Sequence, residues 1–304
     1  DGLIKTFNHG YLAVDFFFLL SGFVINYAYN DRWKEMTTAS FFKRRLIRLH
    51  PMLIMGAFIG LICFLIGGSE QWNGTKIPLY ISIITFLLTC LMIPALPSSF
   101  NEVRGNGELF PLNGPMWSLF FEYIGNILYA IFIRRLSTKL LTFVVILLGI
   151  LHSIFTIGNL SGYGNLGVGW TFDTINFFGG MLRMLFPFTL GMLISRRFKA
   201  IKLPYPFLIC SILLIATLSM PYLSAFKAIN FNGIYESFCI TVIFPLILII
   251  GTSSQEKSKL SQTLGELSYP LYIIHYPIMY LFYQWLIKTK QYTLSETYPV
   301  AILV

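Results

Sequence analysis

Apolar runs about as long as a bilayer is thick recur from one end of this chain to the other, and nothing else constrains its fold as much. Nine read as candidate spans, at about 11–29, 50–66, 79–96, 115–133, 140–157, 177–195, 205–223, 234–250 and 266–287, and a tenth begins near Tyr298. A helix needs roughly 20 apolar residues to cross a ~30 Å hydrocarbon core. The runs are continuous instead of alternating, which excludes a transmembrane barrel. Of 304 residues, 12% are charged, against about 25% in soluble domains. The reading is an all-α, polytopic transmembrane helical bundle of nine to ten membrane segments. One membrane domain fills residues 1–304, with no repeat, soluble domain or low-complexity linker. The chain opens at Asp1 in mid-loop and stops within the run "TYPVAILV"; a further membrane helix is expected before it, and the rest of a last one after it.

The cations sort by loop. Arg32, Lys34, Lys43, Arg44, Arg45 and Arg48 fall together, then Arg134, Arg135 and Lys139, then Arg196, Arg197, Lys199 and Lys202, then Lys257 and Lys259. The positive-inside rule places all four groups in the cytoplasm. The net charge of +9 is therefore topology, not a nucleic-acid surface. Three spans separate the first two groups, an odd number, where two cytoplasmic loops require an even one. One segment between 79 and 114 is therefore expected to be re-entrant. The run "MIPALPSSFNEVRGNGELFPLNGP" suits irregular backbone enclosed by protein. Cys63, Cys90, Cys210 and Cys239 lie in apolar runs without CxxC pairing and read as buried thiols; no metal site or permanent cofactor is expected.

Ionisable groups within spans cost about 2.5–3.5 kcal/mol on insertion scales, so each is a functional candidate. Glu122 shares a helix face with Trp117 and Ser118; it is either a structural partner for an arginine such as Arg183 or a site residue. Arg183 either snorkels to the outer surface or stands as a fixed cation for a polar substrate. His275, in "LSYPLYIIHYPIMY", is either a neutral histidine bonded to a neighbouring helix or a proton-transfer group. His152 reads as structural, and His9 and His50 as surface residues. Asp15 lies one turn inside its helix, where it caps the rim or orients a neighbour. Arg45 and Arg48, three residues apart on one helical face at the membrane boundary, suit bidentate phosphate recognition. On spacing alone a plain positive-inside flank is the stronger account of them, with anionic-lipid contact a related alternative.

Three motifs in order, "GYLAVDFFFLLSGFVI" with "FFKRRLIRLHP", then "MWSLFFEYIGNILY", then "LGELSYPLYIIHYPI", resemble the acyltransferase-3 family of integral-membrane O-acyltransferases, across essentially the whole chain. That family modifies cell-surface sugars, and the resemblance implies about ten membrane helices and a multi-pass protein of the bacterial cytoplasmic membrane. It implies acyl-CoA, by default acetyl-CoA, as co-substrate, with a carbohydrate acceptor and the lipid bilayer as partners. Arg45 and Arg48 match the family's RxxR element on the donor side. Trp117, Ser118 and Glu122 match its W-S-L-x-x-E segment, His275 its SY-x-LY-x-x-H segment, and Asp15 and Gly22 its V-D-x-F-F-x-x-SG core. In this reading Glu122 and His275 are catalytic, while Asp15, Trp117, Ser118 and Arg183 line the substrate side. The family's catalytic histidine lies in a first membrane helix that this chain does not include; His9 sits in the wrong context to replace it. A transporter or flippase for a polar or lipid-linked substrate is the alternative, since intramembrane charges also mark transport paths; the lack of a repeat weighs against it.

Overall fold

A computed structural model describes residues 8–198, 203–223, 229–252, 259–290 and 293. The apolar run near Tyr298, Lys199, Lys202 and Lys257 lie outside the described residues. The described residues form ten α-helices and no strand: α1 Ala13–Tyr29, α2 Thr38–Ile66, α3 Leu79–Cys90, α4 Met116–Ile131, α5 Thr138–Ile157, α6 Thr174–Arg197, α7 Pro206–Ser219, α8 Phe231–Phe238, α9 Phe244–Thr252 and α10 Lys259–Thr289. A π-helical turn, Cys239–Ile243, joins α8 to α9 into one span. Among the described residues six spans are long and apolar enough to cross a membrane: Gly10–Tyr29, Thr38–Ile66, Met116–Arg135, Thr138–Ile157, Thr174–Arg197 and Phe231–Thr252. The chain is a multi-pass helical membrane protein, with fewer full-length spans than the nine to ten expected.

Three expected spans account for the difference. α3 has 12 residues, about 18 Å at 1.5 Å per residue. It stops because Met92 takes φ 56° and Pro94 disfavours helix at the residue before it. α7 has 14 residues, about 21 Å on the same rise. α10 is long enough with 31 residues, but five tyrosines, two prolines, His275 and Gln284 between 269 and 284 dilute its apolar character. The short α3 lies in the segment that the cation count needs not to cross. α2 departs in the other direction and starts twelve residues before the expected position 50. Lysine and arginine are good helix formers, and the Thr37 hydroxyl accepts from the Ser40 amide at 3.2 Å, a side-chain cap on the first turn. His50 is consequently mid-helix and half-buried, not at a helix start.

The chain divides into two compact units. The first holds α1, α5 to α9 and most of α4. Its closest helix pair is α1 with α6: a Cβ on Gly22 would strike the Phe188 carbonyl, and one on Gly191 the Leu19 carbonyl. Small residues at such crossings let membrane helices approach to backbone contact. The second unit holds α2 from Phe42, α3, residues 91–115, the first turn of α4, residues 170–173 and α10. Phe64, Val103 and Leu112 form its core, with Leu61, Ile77, Ile81 and Phe86 packed around them. Residues 91–115 are irregular but not loose: Val103, Arg104, Phe110, Leu112 and Asn113 are all fully buried. Buried backbone groups there need partners. Ala95 N bonds Leu109 O at 2.7 Å, Trp72 N bonds Arg104 O at 3.0 Å, and Leu109 N bonds Trp170 O at 2.9 Å.

Candidate functional site

In the second unit, α2 carries Arg45 and Arg48 near its N-terminal end. Arg45 is 4% exposed and Arg48 is open to the surface. The helix thus presents one guanidinium inward and the next at its edge.

The same unit holds the start of α4 against α10. Ser118 Oγ lies 2.6 Å from the Tyr272 hydroxyl, and both hydroxyls reach Pro115 O, at 3.0 and 3.1 Å. Trp117 is buried beside them in sequence. His275 is exposed, and its Nδ1 bonds Leu271 O of its own helix at 3.0 Å. The expected bond to a neighbouring helix is thus replaced by an i−4 contact. A carbonyl only accepts, so Nδ1 carries the proton in this contact. Tyr276 packs edge-on to the ring at 5.4 Å.

Glu122, four residues after Ser118 on α4, belongs to the first unit. Its Oε1 accepts from Ser21 Oγ at 3.0 Å. Arg183 pairs with Asp15. Nε donates to Asp15 Oδ1 at 3.1 Å and Nη2 to Oδ2 at 2.6 Å; Nη1 donates to Val168 O at 2.7 Å and Nη2 also to Tyr11 O at 2.9 Å. Asp15 is fully buried and Arg183 1% exposed. Arg183 therefore does not snorkel, and Asp15 is not a rim cap. Each neutralises the other, which is how a charged pair is held in an apolar interior.

Two clusters were not anticipated. His9, expected at the surface, is fully buried, with Nδ1 3.1 Å from the Tyr11 hydroxyl and 3.3 Å from Glu236 Oε1. The Tyr11 hydroxyl donates to Glu236 Oε1, and Glu236 Oε2 accepts from Leu166 N at 2.7 Å. Tyr222 and Tyr235 enclose the imidazole, at 4.8 and 5.0 Å between ring centres. Glu236 lies inside the 234–250 apolar run, so the criterion that singled out Glu122 also reaches it. The second cluster, in the second unit, places Arg104 and Glu108 inside the irregular 91–115 stretch. Burial pushes the Glu108 carboxyl up and the Arg104 guanidinium down from their ordinary values. No periodicity marks these two, because they sit in coil. His152, read as structural, is fully buried against Phe186, and neither ring nitrogen has a hydrogen-bond partner among the described residues. Among those residues no group of three His, Cys, Asp or Glu is arranged to hold a metal.

Comparison with known proteins follows this geometry. The family model described as an acyltransferase domain, acyltransferase type 3, matches residues 2–304. "Protein 2 in picA locus" of Rhizobium radiobacter is 36% identical over 142 residues, covering 42% of this chain and 69% of that protein. No solved structure matches. A match over residues 2–304 makes this chain a member of the acyltransferase-3 family.

Proposed function

We propose that this membrane acyltransferase moves an acetyl or other short acyl group from acyl-coenzyme A to a hydroxyl of a cell-surface sugar or polysaccharide precursor, in the bacterial cytoplasmic membrane. The observation that carries the reading is the Arg45/Arg48 pair at the cation-rich end of α2. Guanidinium groups donate in a planar fork that matches phosphate oxygens, and coenzyme A carries phosphates. In the reaction an acceptor hydroxyl oxygen attacks the thioester carbonyl carbon. The C–O bond forms, the C–S bond breaks, a base takes the hydroxyl proton and the departing thiolate is protonated. His275 suits the base role on this chain, since Nδ1–H is held by Leu271 O and Nε2 is free to accept. The Ser118 and Tyr272 hydroxyls, 2.6 Å apart and both turned to Pro115 O, tie the start of α4 to α10. Glu122, one turn further along α4, holds Ser21 of α1. Asp15 and Arg183 act as a positioning pair that holds α1 to α6.

The test is acetyl-CoA kinetics with the full chain in membranes. Arg45→Ala and Arg48→Ala should each raise the donor KM about 10- to 100-fold, the loss of one hydrogen bond to a charged group. Unchanged donor affinity in both variants refutes the donor assignment.

A further inference from the structure

The following rests on the acyltransferase reading and deepens it on the acceptor side. In the second unit Arg104 is fully buried. Its guanidinium lies over three rings, 4.8 Å from Phe64, 5.0 Å from Trp72 and 4.5 Å from Tyr280. Nε donates to Pro111 O at 3.1 Å. Nη1 and Nη2, which carry four of the five N–H groups, have no hydrogen-bond partner among the described residues. Ring faces attract the charge but do not supply oxygen acceptors for four donors. Such a group, buried and unmade, is costly to keep.

Its surroundings carry unmade acceptors as well. Asn113 Oδ1 and Gln284 Oε1 are buried without hydrogen-bond partners among the described residues. Gln284 is one turn beyond Tyr280 on α10, and Asn113 precedes Gly114, against whose Cα the Tyr280 hydroxyl is seated. The same hydroxyl donates to Glu108 Oε2 at 2.5 Å, and Asn106 Nδ2 donates to Glu108 Oε1 at 2.9 Å. Trp72 is half-buried and packs edge-on to Tyr280 at 5.7 Å. Over the carboxylate lies a turn, Gly105-Asn106-Gly107, with Gly105 and Asn106 exposed and both glycines at positive φ.

This combination selects among ligands by chemistry. An inorganic anion satisfies Arg104 but meets the Glu108 carboxylate and two carbonyl oxygens. A cation meets the guanidinium. A hydrocarbon chain leaves every donor and acceptor unmade. Hydroxyl groups both donate and accept, and the C–H faces of a sugar ring stack on aromatic rings. We propose that Trp72, Arg104, Glu108, Asn113, Tyr280 and Gln284 form a subsite for a neutral carbohydrate portion of the acceptor. Its place on α2 fits: Phe64 is sixteen residues beyond Arg48 on one helix, a rise of about 24 Å. The subsite thus stands at the cation-poor end, across most of a bilayer from the donor arginines.

The test uses the full chain in membranes, radiolabelled acetyl-CoA and the carbohydrate extracted from the envelope of the expressing cells, with label counted in the carbohydrate fraction. Arg104→Gln and Glu108→Gln should raise the apparent KM for the extract about tenfold or more, one or two hydrogen bonds' worth, while the KM for acetyl-CoA holds. Inorganic phosphate should not compete with the extract. An unchanged acceptor KM in both variants overturns the subsite. So does a rise in donor KM of the same size, or competition by phosphate that Arg104→Gln abolishes. If Arg104→Gln fails to accumulate, Glu108→Gln, nearly isosteric, and Trp72→Ala carry the same comparison. No label in carbohydrate from the unmodified full-length protein instead overturns the acyltransferase reading itself, and the subsite with it.

Discussion

Asp15 and Arg183 are legible in the sequence as two separate anomalies, each a charge inside an apolar run. Their pairing is not, because 168 residues lie between them and only the packing of α1 on α6 brings the carboxylate to the guanidinium. The same limit hid His9, whose imidazole is buried by Glu236 and Tyr222 from distant parts of the chain. A sequence shows which side chain is costly to bury, not what repays the cost. For the buried pair this has a measurable consequence. Asp15→Ala leaves Arg183 charged and uncompensated, which should destabilise the fold by about 3–5 kcal/mol. Replacing both residues by alanine should cost less than the sum of the two single changes, since the second removes the orphaned charge. Thermal unfolding of the full chain in detergent, run as a double-mutant cycle, reads this directly. Additive losses would mean that the two groups do not act as a pair.

At the scale of elements, the long spans are the most legible part: α5 begins within two residues of the expected position and ends where expected. The misreadings come where hydropathy and helix geometry disagree. α2 continues through six polar and charged residues because those residue types favour helix, and α3 stops early because its apolar run contains prolines. Loop chemistry is the least legible. Residues 67–78 form a tight excursion in which Glu70 pairs with Lys76 and with Lys288 of α10, the latter at 3.3 Å. Hydrogen bonds from Lys76 and Lys288 hold the Glu70 carboxyl below its usual value of 4.5. A depressed folded value means that the contribution to stability is present above the unfolded value and is lost as the pH falls through the folded one. Both partners are solvated, so the effect is small. The melting temperature of Glu70→Gln should lie below that of the unmodified chain at neutral pH, and the gap should close as the pH drops below about 4.5. A gap that persists in acid would show that Glu70 acts through packing and not through charge.

At the scale of the whole molecule, cation placement predicts sidedness before any helix is located, and the helices now sharpen it. α2 leaves the Arg45/Arg48 side, and α4 returns to Arg134 and Arg135. With α3 only 12 residues long, two crossings separate the two cationic groups, as the positive-inside rule requires. If α3 crossed, every later loop would change sides and the groups at 134–139 and 196–197 would face outward. Single cysteines at exposed positions distinguish the two arrangements. Asn73→Cys and Leu160→Cys should react with a membrane-impermeant maleimide in intact cells, while Arg44→Cys and Lys139→Cys should react only after permeabilisation. The native thiols Cys63 and Cys239 are buried, and Cys90 and Cys210 half-buried, all in helices, so a background labelled before each substitution suffices as control. Labelling of Lys139→Cys in intact cells would place α3 across the membrane. It would also put Trp72 and Arg104 on opposite sides, although the Trp72 amide donates to the Arg104 carbonyl at 3.0 Å. That contradiction is why the non-crossing α3 is the arrangement to expect.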